Sequence, residues 1–255
     1  MSYPLTARTL PVVLALAPLI VVAASVVSTM AVPAVTVPGS AVLLTALSTL
    51  ISHLGRDAGK RIEPTLWHEW GGPPTTQLLR WRAARPSEVA VSVRHQHVAT
   101  LVAPSVRLPS AAEEAAAPES ADDVYDVAVG LLRGMTRDAS RFPLLKHENV
   151  GYGFRRNLFG LRTVGTVAAA TALPAAVAFL TLGIVRGRAS DWLCAAAIAA
   201  ASLIALTLWR GISGSWVERV AWAYAERLFE AAHVLAAEHR EPASSSEVAV
   251  AVATD

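Results

Sequence analysis

The run Thr9 to Gly55, TLPVVLALAPLIVVAASVVSTMAVPAVTVPGSAVLLTALSTLISHLG, carries no Asp, Glu, Lys or Arg in forty-seven residues. Two later runs, Thr163 to Val185 and Trp192 to Trp209, are equally free of charge. A bilayer core takes about 20 apolar residues of helix, so the first run is long enough for two spans and each later run for one. The expected fold is an all-α integral membrane protein with four transmembrane helices in two hairpins. The first hairpin covers 1–55, with spans at about 10–30 and 37–55, and the second covers 163–210, with spans at about 163–185 and 191–209. A mainly helical insert, 56–162, a C-terminal amphipathic helix, 211–240, and a disordered tail, 241–255, complete it.

Composition agrees. The chain is 53% hydrophobic and 16% charged, too little charge for a soluble domain of 255 residues. Its single cysteine, Cys194, falls in the last span, which excludes a disulfide framework or thiolate cluster within the chain. The insert holds 15 of the 22 basic residues, so the positive-inside rule puts N-terminus, insert and C-terminus on the cytoplasmic side of the membrane. Trp192 and Trp209 bracket the fourth span as interfacial anchors do. Arg8 ahead of an apolar run, with Val32-Pro33-Ala34 after it, also fits a cleaved secretory signal, but the apolar stretch that follows at once favours a hairpin. No span carries an ionisable residue at mid-depth, which argues against a proton-relay transporter. Thr45, Ser48, Thr49 and Ser52 make one helical stripe, read as helix packing or as a pore lining in an oligomer.

The insert alternates in charge: eight basic and four acidic residues from Arg56 to Arg107, six acidic and none basic from Glu113 to Asp126, seven basic and two acidic from Arg133 to Arg162. Pro109 to Ser120 reads as a flexible linker. Ser120 caps an expected helix over Ala121 to Met135, whose Val124, Ala128, Leu131 and Met135 share a face. Alternating Val89, Val91 and Val93 predict a short strand over Ser87 to Val93. Counting from Arg210 onward there are four basic and seven acidic residues, and Val217, Val220, Tyr224, Leu228, Ala231 and Leu235 recur at helical spacing.

Two motifs carry the chemistry. In Gly55 to Arg82 the second span continues as one helix, placing Arg56 and Lys60 a turn apart at the membrane mouth, with Asp57 and Arg61 as a supporting pair. Gly55-x-x-x-Gly59-Lys60 is one residue short of a phosphate loop and has Arg61 where a magnesium-binding hydroxyl belongs, which excludes an ATPase loop. Gly71-Gly72-Pro73-Pro74 opens an expected helix from Thr75 to Arg85, where Thr75, Thr76 and Arg80 make an anion-friendly start. The second motif runs from Lys146 to Leu158. Its Tyr152, Arg155, Arg156 and Asn157 suit either stacking on a base with a grip on phosphate, or lipid headgroups.

The site residues expected to bind an anionic ligand are therefore Arg56, Lys60, Arg61, Thr75, Thr76, Arg80, Lys146, Tyr152, Arg155, Arg156 and Asn157. His95-x-His97 and His68-Glu69 lack a third metal ligand at a diagnostic spacing, and no cofactor is implied. Asp57, Glu63, Glu69 and Glu148 are available as acids or bases, but no spacing singles out a pair.

The combination R-D-x-G-K-x-x-E-x-x-L-W-x-x-W-G-G-x-P-T-T, from Arg56 to Thr76, with Y-G-F-R-R-N-L, from Tyr152 to Leu158, resembles a bacterial multi-span membrane family of unassigned function. The layout is also similar to membrane effectors of nucleotide-controlled anti-phage systems. That likeness implies a homo-oligomeric effector or channel in the lipid bilayer whose basic region binds a nucleotide or oligonucleotide. A membrane enzyme acting on a lipid or phosphoester, and a ligand-free scaffold, are the competing expectations.

Overall fold

The computed structural model describes the backbone of residues 5–29 and 40–252 and the side chains of 5–29 and 49–239. The protein is all-helical, with no strand among the described residues. After a π-helical turn at Leu5–Thr9 come α1 (Leu10–Thr29), α2 (Ser40–Glu69), α3 (Pro74–Gln77), α4 (Glu88–Val102), α5 (Ala111–Ala116), α6 (Pro118–Met135), α7 (Pro143–Gly160), α8 (Arg162–Arg186), α9 (Ala189–Gly211) and α10 (Gly214–Val252). They form two compact units, Met1–Leu66 with Val150–Val217, and Trp67–Asn149 with Glu218–Asp255.

In the first unit, Leu5–Thr29, Arg162–Arg186 and Ala189–Gly211 are long and apolar enough to cross a bilayer. Their packing is inverted relative to a soluble core. Mostly small residues face inward, with Gly165, Ala168, Ala169, Ala172 and Ala176 buried on α8 and Ala195, Ser202 and Ala205 on α9, and Phe179, Ile198 and Trp209 as the large exceptions. Large ones, such as Val177, Ile184, Leu193, Ile204 and Leu208, face outward. Between helices in lipid no hydrophobic drive favours burying bulk, so close backbone approach decides what lies inside. Gly187 closes α8 with φ +64° and donates its N–H to Gly183 O at 2.9 Å, which turns the chain into α9. Pro18 and Pro174 are accommodated within α1 and α8.

Trp209 is a packing residue rather than an interfacial anchor. It is 4% exposed and its ring fills the space left by Gly165, where a Cβ would stand 2.2 Å from the indole. Trp192 does lie 45% exposed. The expected span 37–55 falls partly outside the described residues, as do the side chains of Thr45 and Ser48. Thr49 is exposed and Ser52 half-buried on α2.

The second unit corrects several local expectations. Ser87 to Val93 is no strand: Ser87 caps α4 by accepting from Ala90 N–H at 3.2 Å, and Val91, Val98, Leu101 and Val102 form its buried face. An N-cap plus a helical core face outweighs the strand preference of three valines. The stretch Pro109 to Ser120 is no open linker, because Ser110 and Glu113 form a reciprocal capping box that starts α5. α6 begins at Pro118, two residues before the expected cap Ser120, and buries Ala121, Tyr125, Ala128, Val129 and Leu132, while Met135 stays 43% exposed. Proline suits the first helical turn, where its missing N–H has no partner to lose. The helix expected over Thr75 to Arg85 ends after four residues. Along α10, Trp222, Ala225, Leu228, Phe229 and Ala232 join the core with Leu79, Val98, Tyr125 and Leu132. The backbone of α10 is helical to Val252, and the side chains of the tail from Glu241 lie outside the described residues.

Candidate functional site

The two sequence motifs meet in the first unit on one buried carboxylate. Glu63 on α2 is 4% exposed. Lys60, one turn earlier on the same helix, donates from Nζ to Glu63 Oε2 at 2.6 Å. From α7, Arg156 Nη1 donates to Oε1 at 2.7 Å and the Tyr152 hydroxyl donates to the same oxygen at 2.8 Å. Burial pushes the Glu63 carboxyl up, but the Arg156 charge and the hydrogen bonds from Lys60, Arg156 and Tyr152 hold it below the ordinary glutamate value. Asn157 then locks the guanidinium from behind: its Oδ1 accepts from Arg156 Nε and Nη2 at 3.2 and 3.1 Å, and its Nδ2 donates to Ala7 O at 2.7 Å.

Glycines make the crossing of α2 and α7 this close. A Cβ at Gly59 would fall 1.9 Å from Asn157 Oδ1, and one at Gly160 would fall 2.5 Å from Ala58 O. Beside the crossing, Arg155 lies over the Trp216 ring at 4.8 Å and donates to Trp216 O at 3.2 Å. Arg56 and Arg61 are exposed on α2. The cluster is thus cationic with one internal counterion, and Lys60 is its accessible member, with 53% of its side chain exposed. Lys60 pairs with Glu63, and no ion pair joins Asp57 to Arg61 among the described residues.

Thr75, Thr76, Arg80 and Lys146 belong to the second unit. The Gly71-Gly72 turn, with φ of +80° and +123°, presents carbonyls rather than amides. Gly71 O accepts from Arg80 Nη1 at 2.5 Å, and Gln77 Nε2 donates to Trp70 O and Gly72 O at 2.9 and 2.7 Å. Thr75 and Thr76 are buried, and Thr76 bonds Asp126. Arg80 grips Asp122 through Nε and Nη2 at 2.7 and 2.8 Å. The acidic block therefore supplies counterions to the first basic block. Lys146 is exposed on α7.

Spacing in the sequence does not single out Glu63 or Glu114. Glu114 is 1% exposed and accepts from the Trp81 and Arg82 amides at 2.9 and 3.0 Å, from Arg82 Nη1 at 2.8 Å and from the Tyr125 hydroxyl at 2.7 Å. Beside it His95 Nε2 donates to Leu79 O at 2.7 Å, and burial holds the imidazole below the ordinary histidine value. On a helix the two imidazoles of His95-x-His97 point to different neighbours: His97 meets His233 at 4.4 Å between ring centres. Among the described residues no three metal-ligating side chains converge.

The first unit also holds a cavity of about 420 Å³ lined by Arg162 and Thr166 on α8 and by Leu203, Leu206, Thr207, Trp209 and Arg210 on α9. No family model, curated protein or solved structure matches the chain.

Proposed function

We propose that the protein is a four-span effector of the bacterial inner membrane, acting as an oligomer, with its N-terminus, 56–162 segment and C-terminus in the cytoplasm. An anionic ligand, a nucleotide or oligonucleotide, engages Lys60 and its neighbours and thereby controls the permeability of the bilayer, as in nucleotide-controlled anti-phage defence. The observation that carries this reading is the sharing of Glu63 by Lys60 and Arg156 where α2 crosses α7. A phosphate competing with Glu63 for Lys60 changes the ion-pair network between these helices, and exposed Arg56 and Arg61 add attraction.

The test is ion flux from lipid vesicles holding the purified protein, with and without short oligonucleotides, alongside binding measured across salt concentrations. The expected result is ligand-dependent flux, binding that weakens as salt rises, and loss of both in Lys60→Ala. Absence of flux together with absence of salt-sensitive binding overturns the proposal.

A further inference from the structure

Arg162 opens α8 and Arg210 stands one residue before the end of α9, so the antiparallel hairpin brings both to the same end. Both are exposed, and neither forms an ion pair among the described residues, in contrast to Lys60 and Arg156 with their shared Glu63. They flank the cavity of about 420 Å³, whose lining contains no acidic residue. Its two hydroxyls are committed to their own helices: Thr166 donates to Arg162 O and Thr207 to Leu203 O, each at 2.8 Å. The guanidinium groups are thus the cavity's cationic donors, and the rest of the wall is largely apolar.

That wall is firm on one side and open on the other. Trp209, held against Gly165, forms a packed floor. Leu203, 57% exposed, carries the cavity onto the outward apolar face that Ile204 and Leu208 continue. Two uncompensated guanidiniums at the end of two candidate spans, beside an apolar surface, match a ligand with a phosphate at one end and hydrocarbon at the other. A soluble phosphate compound would leave the leucine wall without a partner.

We infer that the Arg162/Arg210 cavity binds the phosphate of an anionic phospholipid, with the acyl chains lying along Leu203 and Leu206. The site is separate from the Glu63 cluster and does not rest on the ligand-gated reading. Two arginines each contributing about fivefold give a preference of roughly twenty-five-fold for phosphatidylglycerol over phosphatidylcholine.

The experiment is native mass spectrometry of the full chain in detergent. It is titrated with phosphatidylglycerol and phosphatidylcholine, and separately with phosphatidylglycerol in the presence of excess glycerol 3-phosphate. The expected result is the phosphatidylglycerol preference, its collapse toward unity in Arg162→Gln/Arg210→Gln, and no competition from glycerol 3-phosphate. Both arginines are exposed, so the double variant should keep the wild-type melting temperature in phosphatidylcholine micelles; Lys60→Ala should keep the lipid preference whatever it does to flux. Equal binding of the two lipids overturns the inference, as does a preference that survives the double substitution. Full competition by glycerol 3-phosphate also overturns it, since the ligand would then be free phosphate.

Discussion

Glu63 holds its charge in a place where a charge is costly, and it is kept there by three donors. Breaking a buried ion pair by removing one partner leaves the other desolvated and alone, at a cost of about 3 kcal/mol. Arg156, 7% exposed, would be that partner. Glu63→Gln is therefore expected to lower unfolding free energy by about that amount, read from chemical unfolding in detergent. The pH dependence follows from the direction of the shift. The carboxyl is held below its ordinary value, so its contribution is complete above the unfolded pKa and is lost as pH falls through the lowered folded one. The stability gap between wild type and Glu63→Gln should accordingly be full at neutral pH and close on acidification. A gap independent of pH would mean that shape, not charge, makes the difference.

At the scale of elements, the crossing of α2 and α7 is set by backbone contact. A Cβ at Gly160 meets Ala58 O at 2.5 Å and Gly59 N at 2.9 Å, both main-chain atoms that cannot turn aside. Gly160→Ala is expected to cost about 1–3 kcal/mol by overpacking. Gly130, exposed on α6 with nothing within 4 Å of the added carbon, gives the contrast: Gly130→Ala should gain about 0.5–1 kcal/mol from helix propensity alone. Thermal melts of the two variants should shift in opposite directions, and a shared direction would show that the crossing tolerates a methyl group. These elements also mark what was legible in the sequence. The apolar helices follow from charge exclusion over tens of residues, and the Lys60 and Tyr152 to Asn157 motifs lie on the two helices that meet at Glu63. Glu63 is only an unassigned acid in the sequence, because two of its three partners lie some ninety residues away on α7. Ser87 to Val93 and Pro109 to Ser120 misled for a different reason. Their composition favours strand and linker, while single caps at Ser87 and Ser110, joined to tertiary burial of Val91 and Glu114, decided for helix. The position of Trp209 near the end of a charge-free run suggests an anchor, and Gly165 on a neighbouring helix explains why it turns inward.

For the whole molecule, the inverted packing of α1, α8 and α9 argues for lipid around them, and the placement of the remaining segments then depends on how many times the chain crosses. With α1 alone preceding it, the segment 56–162 lies on the opposite side from the N-terminus; with a second crossing over 37–55 it lies on the same side. The fifteen basic residues of that segment and the charge-free run up to Gly55 favour the second arrangement. Cys194 is the chain's sole cysteine, so a Cys194→Ala background allows one reporter at a time. Ser2→Cys, Ser105→Cys and Arg188→Cys, probed in intact and permeabilised cells with a membrane-impermeant maleimide, separate the arrangements. Four spans predict that Arg188→Cys is labelled in intact cells, while Ser2→Cys and Ser105→Cys react only after permeabilisation. Labelling of Ser2→Cys in intact cells, with Ser105→Cys still protected, would leave three crossings. It would also contradict the hydrogen bond from Asn157 Nδ2 to Ala7 O, which holds the start of α1 beside the crossing of α2 and α7.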